Sequence, residues 1–423
     1  MSFDISLSRP SEVSINLKLF KKFHFFHLFD PKTKKICNFN VYHLAWYIIN
    51  CIIGCTIIFG LMGYLTEMED DVFNVANDIQ SMFSCLIYSV DLLKIITFLY
   101  KANKVWDLLE VTDINFLTST QCQKHKGILH KYRKKSIKIT NIMCMLGIMN
   151  AILYTMYPLV LMLLRKENAN QSNRRLENIL NFRFPVTVNY YNNNYVLFYI
   201  MESCIVMFLL YMHIVSEVFF ISLCFVMIAQ YEMIKRAYEN FNGELICENN
   251  NSKKKNEYKV NYCFDDLVSI MKNQQKQFKK LKLFHSTYKF IIVSNVVAYS
   301  GSIIILTYAS AVIFKSSESI PVLVVIKLIS SFVNVFIILL IICYLLERIN
   351  NNLESVQFGM YSCNWTSMNL RSKKILLLSM QLNNANELMI KITRIKIINL
   401  QFFNSVMITC YNILSAMLNI SSN

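Results

Sequence analysis

Seven ionisable side chains fall inside long apolar runs: Asp78, Asp91, Lys94, Glu202, Glu217, Lys289 and Lys327. In hydrocarbon each costs ~2.5–3.5 kcal/mol at a bilayer centre, so such groups face protein or water. Asp91 and Lys94 stand three residues apart, on one face of a helix, where they can pair with each other. Glu202 and Lys327 lie in the outer parts of their runs, placed to line a cavity. Snorkelling or structural pairing is the competing reading for all seven. Catalytic chemistry has little to stand on. The seven histidines form no HExxH, and there is no GxSxG, Walker A loop or dinucleotide fingerprint. His24 and His27 have the spacing to hold a metal on one helix face, but they sit among phenylalanines and lysines, where interfacial anchoring is the better reading. The thirteen cysteines show no CxxC spacing and read as free thiols rather than a metal site or a disulfide framework. The expectation is a protein that is not an enzyme, with no cofactor and no metal.

The elements that must position these residues are membrane helices. The chain has 423 residues, 54% hydrophobic and only 17% charged, against about 25% charged in soluble domains. Its net charge of +16 is concentrated between the apolar runs, which points to membrane topology rather than nucleic acid. Few glycines (8) and prolines (5) favour long helices without breaks. Seven stretches are long enough to cross a bilayer at about 20 residues each: roughly 43–65, 75–99, 137–164, 196–229, 288–314, 321–346 and 396–420. The second is burdened by Asp78, Asp91 and Lys94. No early apolar segment suggests a cleavable signal peptide.

Lysine and arginine set the orientation. Thirty-three fall in the N-terminal segment and in 101–135, 230–287 and 347–396, against six on the other side. The positive-inside rule then places the N-terminus in the cytoplasm and the C-terminus outside. The expected fold is an all-α membrane protein of seven transmembrane helices, inverted relative to G-protein-coupled receptors. NPxxY and DRY motifs are also missing. Four parts are expected: a cytoplasmic segment 1–42 with an interfacial helix in 15–30, a six-helix bundle 43–346 with a polar, disordered stretch in its basic loop 230–287, a cytoplasmic anchor 347–395, and a terminal helix 396–423. Asn170, in the longest outer loop, heads an Asn-Gln-Ser glycosylation triplet.

Two sets of residues are candidates for function. The outer ends of spans two, three and four bring Ile79, Met82 and Phe83, then Asn150, Tyr154 and Tyr157, then Phe198, Met201, Glu202 and Ile205 to one level. A cavity among them would suit a small hydrophobic molecule held by shape, though ordinary helix packing is open for each. In the last span, Gln401, Ser405, Thr409, Asn412, Ser415 and Asn419 recur every three or four residues as one polar helix face. Such a stripe either bonds neighbouring helices or lines water.

The C-terminal sequence adds a signature: Tyr361-x-x-x-Trp365, then Arg371-Ser-Lys-Lys with an apolar run, then Thr409-Cys-Tyr411-Asn in the terminal helix. With the inverted seven-span layout and the long basic inner loop, it resembles the insect odorant receptors. The family typically reads Thr-Ser-Tyr-Ser-Tyr-Phe near its end; Tyr411 keeps the first aromatic and the second is absent. The chain lacks the Gln-Phe ending of gustatory receptors and the larger inner loop of the co-receptor, Orco, so it resembles a tuning subunit. The resemblance implies a heterotetrameric, odorant-gated, non-selective cation channel formed with Orco in the plasma membrane of an olfactory sensory neuron. It also implies a pore lined by the last helix, with Leu414 and Leu418 at a hydrophobic gate and Met417 near the constriction. The ligand would be a small volatile, on the composition of the outer half a terpenoid or ester, and the surroundings membrane lipid. A seven-helix chemoreceptor that signals through a cytosolic partner is the alternative.

Overall fold

The computed structural model describes residues 9, 12–22, 25–32, 35–36, 39–62, 72–165, 175–180, 182–241, 253–315, 322–382 and 397–420. The protein is almost entirely helical. A helix closes every backbone hydrogen bond within itself, which is what an apolar chain in hydrocarbon requires. Among the described residues seven helices have 20 residues or more: α2 (Val41–Met62), α3 (Val72–Tyr100), α6 (Lys126–Arg165), α8 (Tyr195–Glu239), α9 (Lys253–Lys315), α10 (Val322–Ser362) and α12 (Leu400–Ile420). Each overlaps one of the expected spans. Among the described residues, α2, α6, α8, α9 and α10 are long and apolar enough to cross a membrane by composition alone. The 29-residue α3 has the length but carries the charges noted above. The chain is a multi-pass membrane protein.

Short elements join the long ones: α1 (Leu17–Lys22), α4 (Ala102–Leu109), α5 (Thr120–Lys124), α7 (Val188–Asn193) and α11 (Leu370–Leu382), plus a two-stranded hairpin of β1 (Lys35–Ile36) and β2 (Phe39–Asn40) paired antiparallel. Ser119 caps α5 by accepting from the Cys122 amide at 3.2 Å, and Asn369 caps α11 by accepting from the Ser372 amide at 2.7 Å. Both satisfy a donor that a helix start leaves open.

α8 is the axis of the bundle. Its stretch from Val215 to Tyr231 is buried at every position, and α3, α6, α9 and α10 pack around it. At the lysine- and arginine-rich end, α8 and α9 run on well beyond bilayer length, as the charged, helix-permissive flanks of 230–287 suggest. The helix α9 begins at Lys253, so the lysine-rich part of that loop is helical rather than disordered. Gly359 of α10 allows close contact with α8: a Cβ there would come within 2.9 Å of the Lys235 carbonyl oxygen.

The N-terminal segment departs from its expected place. Of the five phenylalanines in 15–30, Phe20, Phe26 and Phe29 are buried in the main core. Phe20 and Phe29 pack on Phe219 of α8 with ring centroids 5.5 and 6.0 Å away. Ser14 adds a hydrogen bond from its hydroxyl to the Thr112 carbonyl at 2.8 Å. An amphipathic segment needs an apolar surface, and here the protein supplies it for these rings.

A charged clamp ties α9 to the turn after α4. Lys276 and Lys280 hold the Glu110 carboxylate at 2.8 and 2.7 Å. Partial burial would raise the Glu110 carboxyl, but hydrogen bonds from the two lysines outweigh it and hold it below the ordinary carboxylate range. A carboxyl depressed in the folded state contributes stability above its unfolded pKa and loses it as pH falls through the folded value. Glu110→Gln should therefore lower stability near neutral pH by no more than about 1 kcal/mol per half-exposed pair. The difference between variant and parent should vanish on acidification below the ordinary carboxylate range, as read from thermal unfolding in detergent across a pH series.

Candidate functional site

In the half of the bundle away from the lysine-rich end, five helices leave a cavity of about 50 Å³. Its walls are mainly aromatic and aliphatic: Phe83, Ile87 and Tyr88 from α3, Tyr154 from α6, Leu210 from α8, Tyr299 from α9 and Val335 from α10. Polar groups enter at Asn150, His213, Ser331 and Asn334. Tyr154 and Ser331 bond hydroxyl to hydroxyl across the α6–α10 seam. The space suits a few waters. It is smaller than the ~300–1,000 Å³ of a typical ligand pocket, so an organic guest has to move side chains apart. A groove of about 320 Å³ lies between α6 and α10 on the outer face of the bundle, lined by Met149, Leu153, Ile329 and Val333. Asn150 and Asn334 border both spaces.

Of the residues singled out from the sequence, Phe83, Asn150 and Tyr154 line this cavity together. The helix α3 carries Ile79 and Met82, whose side chains lie outside the described residues. Tyr157, Phe198, Met201, Glu202 and Ile205 belong to a second apolar cluster and its polar fringe. That cluster anchors residues 175–180 and 182–187, which lie across this end of the bundle.

Glu202 and Lys327 serve this segment rather than lining the cavity. The fully buried Glu202 carboxylate accepts from the Leu180 amide at 2.7 Å, and Lys327 donates to the Ile179 carbonyl at 3.2 Å. Backbone donors and acceptors in a loop have no helix partners, so two in-span charges satisfy them. Lys327 also lies 4.7 Å from the Tyr157 ring and 5.0 Å from the Tyr154 ring, and so reaches toward the cavity wall. Tyr157 donates to the Glu177 carboxylate at 2.9 Å. On the α2 side, Arg183 donates its amide to the Gly60 carbonyl at 3.0 Å. Phe182 lies so close there that a Cβ on Gly60 would meet its ring at 2.5 Å.

Beneath the cavity is a buried charge network. Lys94 donates to Asp91 and to Glu217, each at 2.7 Å. Glu217 also accepts from Tyr299 at 2.9 Å and from Asn295 at 3.0 Å. The His213 ring approaches Asp91 at 3.0 Å. The Asp91–Lys94 pair has the spacing noted in the sequence, but its partners come from α8 and α9. His213 and Tyr299 belong to both the network and the cavity wall. The sequence held one unused signal: His213 and Glu217 are four apart on one face of α8.

A third link runs from the cavity to the last helix. Val335 lines the cavity, and its neighbour Phe336 packs edge-on against Phe403 of α12 at 5.2 Å. Farther along α10, the Glu347 carboxylate accepts the Leu400 amide at 2.8 Å, an anion at the positive end of α12. Asn399 caps the same end through the Phe402 amide at 2.9 Å. On α12, Val406 and Cys410 turn inward while Gln401, Thr409 and Asn412 are exposed. Ser405 and Thr409 return their hydroxyls to carbonyls of their own helix. Leu414 is half-buried on the flank of the exposed face; the side chains of Met417, Leu418 and Asn419 lie outside the described residues, as does Asn170. Tyr361 and Trp365 are exposed at the lysine-rich end, where Arg371 stacks on Phe264 at 4.2 Å. Among the described residues no cluster of side chains could hold a metal ion.

The family model described as 7tm Odorant receptor matches residues 74–411. No curated protein sequence matches the chain. Among solved structures, the fold is similar to that of the insect olfactory receptor OR5 from Machilis hrabei, with a TM-score of 0.70 at 13% identity, covering 95% of this chain and 98% of that one. It is also similar to the same receptor in complex with eugenol, with a TM-score of 0.68 at 14% identity and the same coverage.

Removing one member of a buried charge cluster leaves its partners uncompensated, at a cost of ~3–5 kcal/mol. Lys94→Met should therefore sharply reduce the yield and melting temperature of detergent-purified protein. Adding Asp91→Asn and Glu217→Gln to Lys94→Met should recover part of the loss. A triple variant no more stable than the single one would mean that Lys94 acts through packing rather than charge.

Proposed function

The chain belongs to the odorant receptor family, and from that premise we propose that it is the tuning subunit of an odorant-gated, non-selective cation channel. In this reading it assembles with the co-receptor in a tetramer in the plasma membrane of an olfactory sensory neuron, with its lysine-rich end in the cytoplasm. A small hydrophobic volatile, a terpenoid or ester, occupies the cavity around Phe83, Ile87 and Tyr154, as the small aromatic volatile eugenol is bound by the Machilis hrabei receptor. The amides of Asn150 and Asn334 stand ready to donate to one acceptor group. The outer groove between α6 and α10 offers an approach from the hydrocarbon, where such a molecule partitions. Ile79, Met82, Tyr157, Phe198, Met201, Glu202 and Ile205 enclose this half of the bundle and define the shape into which the cavity can grow.

The observation that carries the reading is the double role of α10. This helix forms one wall of the cavity and also holds the start of α12 through Glu347 and the flank of α12 through Phe336. A guest that spreads the cavity wall displaces the element that fixes α12. Binding opens the channel only to the extent that the guest prefers the open arrangement. The exposed polar face of α12 supports the same reading, because the side-chain amides of Gln401 and Asn412 are costly facing lipid and face a neighbouring subunit or water instead. Leu414 and Leu418 then form two stacked apolar rings that gate by dewetting, with Met417 near the constriction, and a modest helix rotation brings the polar edge toward the pore.

Co-expression with the co-receptor in cells lacking G-protein signalling, under an odorant panel, is the direct test. A ligand-evoked cation current is expected; ligand binding with no current would favour signalling through a cytosolic partner. In the responding channel, Asn150→Leu should raise the half-maximal concentration of an acceptor-bearing ligand by about fivefold, the loss of one hydrogen bond worth ~1 kcal/mol. The maximal current should be unchanged.

The gate is tested separately. Leu414→Ser combined with Leu418→Ser should produce a standing current without ligand, because polar rings stay wet. A variant that reaches the surface and is as silent at rest as the parent would move the gate elsewhere.

A further inference from the structure

Two polar groups on the cavity wall are not used by the protein's own hydrogen bonds. The Tyr154 and Ser331 hydroxyls bond each other, Ser331 also donates to the Lys327 carbonyl at 2.9 Å, and the Tyr299 hydroxyl donates to Glu217. Tyr88 and His213 line the same cavity, and each is buried at 6% exposure. Among the described residues the Tyr88 hydroxyl has no hydrogen-bond partner. His213 meets Asp91 through Nδ1 alone, at 3.0 and 3.1 Å from the two carboxylate oxygens. No hydrogen bond from the described residues reaches its Nε2.

The Asp91 bond decides what that nitrogen can do. A carboxylate only accepts, so the ring proton sits on Nδ1 and the Nε2 lone pair is free to accept. Tyr88 stands three residues before Asp91 on one face of α3, beside the carboxylate that holds the ring. The cavity thus offers a hydroxyl donor and a nitrogen acceptor that are not bonded to each other. A guest O–H group matches both through one atom, donating to the nitrogen and accepting from the phenol. An ether or ester accepts from Tyr88 but leaves Nε2 unpaired, and a hydrocarbon leaves both unpaired. A buried polar group without a partner costs more than a formed bond gains, and a site built to bond a hydroxyl rejects the analogue that lacks it. Acids are disfavoured by the charges behind the ring. Asp91 and Glu217 share one ammonium, Lys94, so a carboxylate guest meets surplus negative charge.

We propose that Tyr88 and His213 form a hydroxyl-recognising subsite, and that the cavity takes a small apolar alcohol or phenol whose O–H donates to His213 Nε2 and accepts from Tyr88. The proposal rests on the ligand reading of this cavity and narrows its ligand to the hydroxyl-bearing class. Asp91 is a positioning residue here, because it fixes the tautomer of the ring. The guest then touches a ring tied through Asp91 to Lys94, so recognition and the charge network meet at one residue.

Binding is measured by titration calorimetry on the full-length chain in nanodiscs, with empty nanodiscs as the blank. Benzyl alcohol, hexanol and menthol are each compared with the methyl ether and the parent hydrocarbon, and benzyl alcohol also with benzylamine and benzoic acid. At least one alcohol should bind about tenfold or more tighter than its ether. His213→Asn keeps a donor for Asp91 and deletes Nε2. It should weaken that alcohol by about tenfold and leave the ether and hydrocarbon within about twofold. Tyr88→Phe removes a hydroxyl with no protein partner, so its readout does not depend on how the His213 variant folds. It should weaken alcohol and ether alike, by about fivefold, and spare the hydrocarbon. Alcohols bound no tighter than their ethers, benzylamine or benzoic acid bound tighter than benzyl alcohol, an alcohol unaffected by Tyr88→Phe, or no alcohol bound at all would each overturn the proposal. The channel reading fails separately: an alcohol that binds in this pattern and evokes no current with the co-receptor leaves the subsite standing.

Discussion

Lys94 holds the centre of this protein. One ammonium group, buried among apolar helices, compensates two carboxylates on different helices, and a tyrosine, an asparagine and a histidine complete the shell. In a medium without water these groups have few alternative partners. The network therefore sets how α3, α8 and α9 register against one another, in a way that interchangeable apolar contacts between Leu, Ile and Phe do not. The cavity above it takes its floor from two of these residues, so its shape is tied to that register. The same register passes downward through Phe219 to the buried N-terminal rings.

Ordinary apolar packing supplies the rest of the bundle, and it leaves space where shape demands it. The cavity sits between the charge network and the 175–187 segment, each held by buried charges. Both ends are thus stiff, while the side walls, made of Phe, Ile and Tyr on α3 and α6, are the part that can yield to a guest. Glu202 and Lys327 explain how a loop can rest on a membrane bundle: they supply the partners that backbone groups otherwise lack.

The helices were legible because period, length and charge bias speak directly to the bilayer. Asp91 and Lys94 were legible as a pair because their partners lie three residues apart. Asn295 and Tyr299 were not, since a tyrosine or asparagine in a span looks the same whether it meets a carboxylate or a lipid. Glu202 and Lys327 stood out as charges in apolar runs, but nothing in local periodicity tells where a loop of mixed composition will come down, and so their roles were hidden. The phenylalanines of the N-terminal segment advertise an apolar face without saying whether lipid or protein will cover it. Glu347 at the start of α12 follows from a contact between helices more than fifty positions apart in sequence.

The long helix α10 has a consequence for how such a receptor can diversify. Its residues line the cavity and touch the flank and then the start of α12, and at Gly359 its backbone comes against α8. On the proposed reading, a change of side chain on this wall alters ligand recognition and the placing of α12 together. The walls contributed by α3 and α6 carry no such second duty at Ile87 or Asn150. On the proposed reading, ligand preference can shift on those two walls without moving α12, while the α10 wall is held by its contacts with α12 and α8.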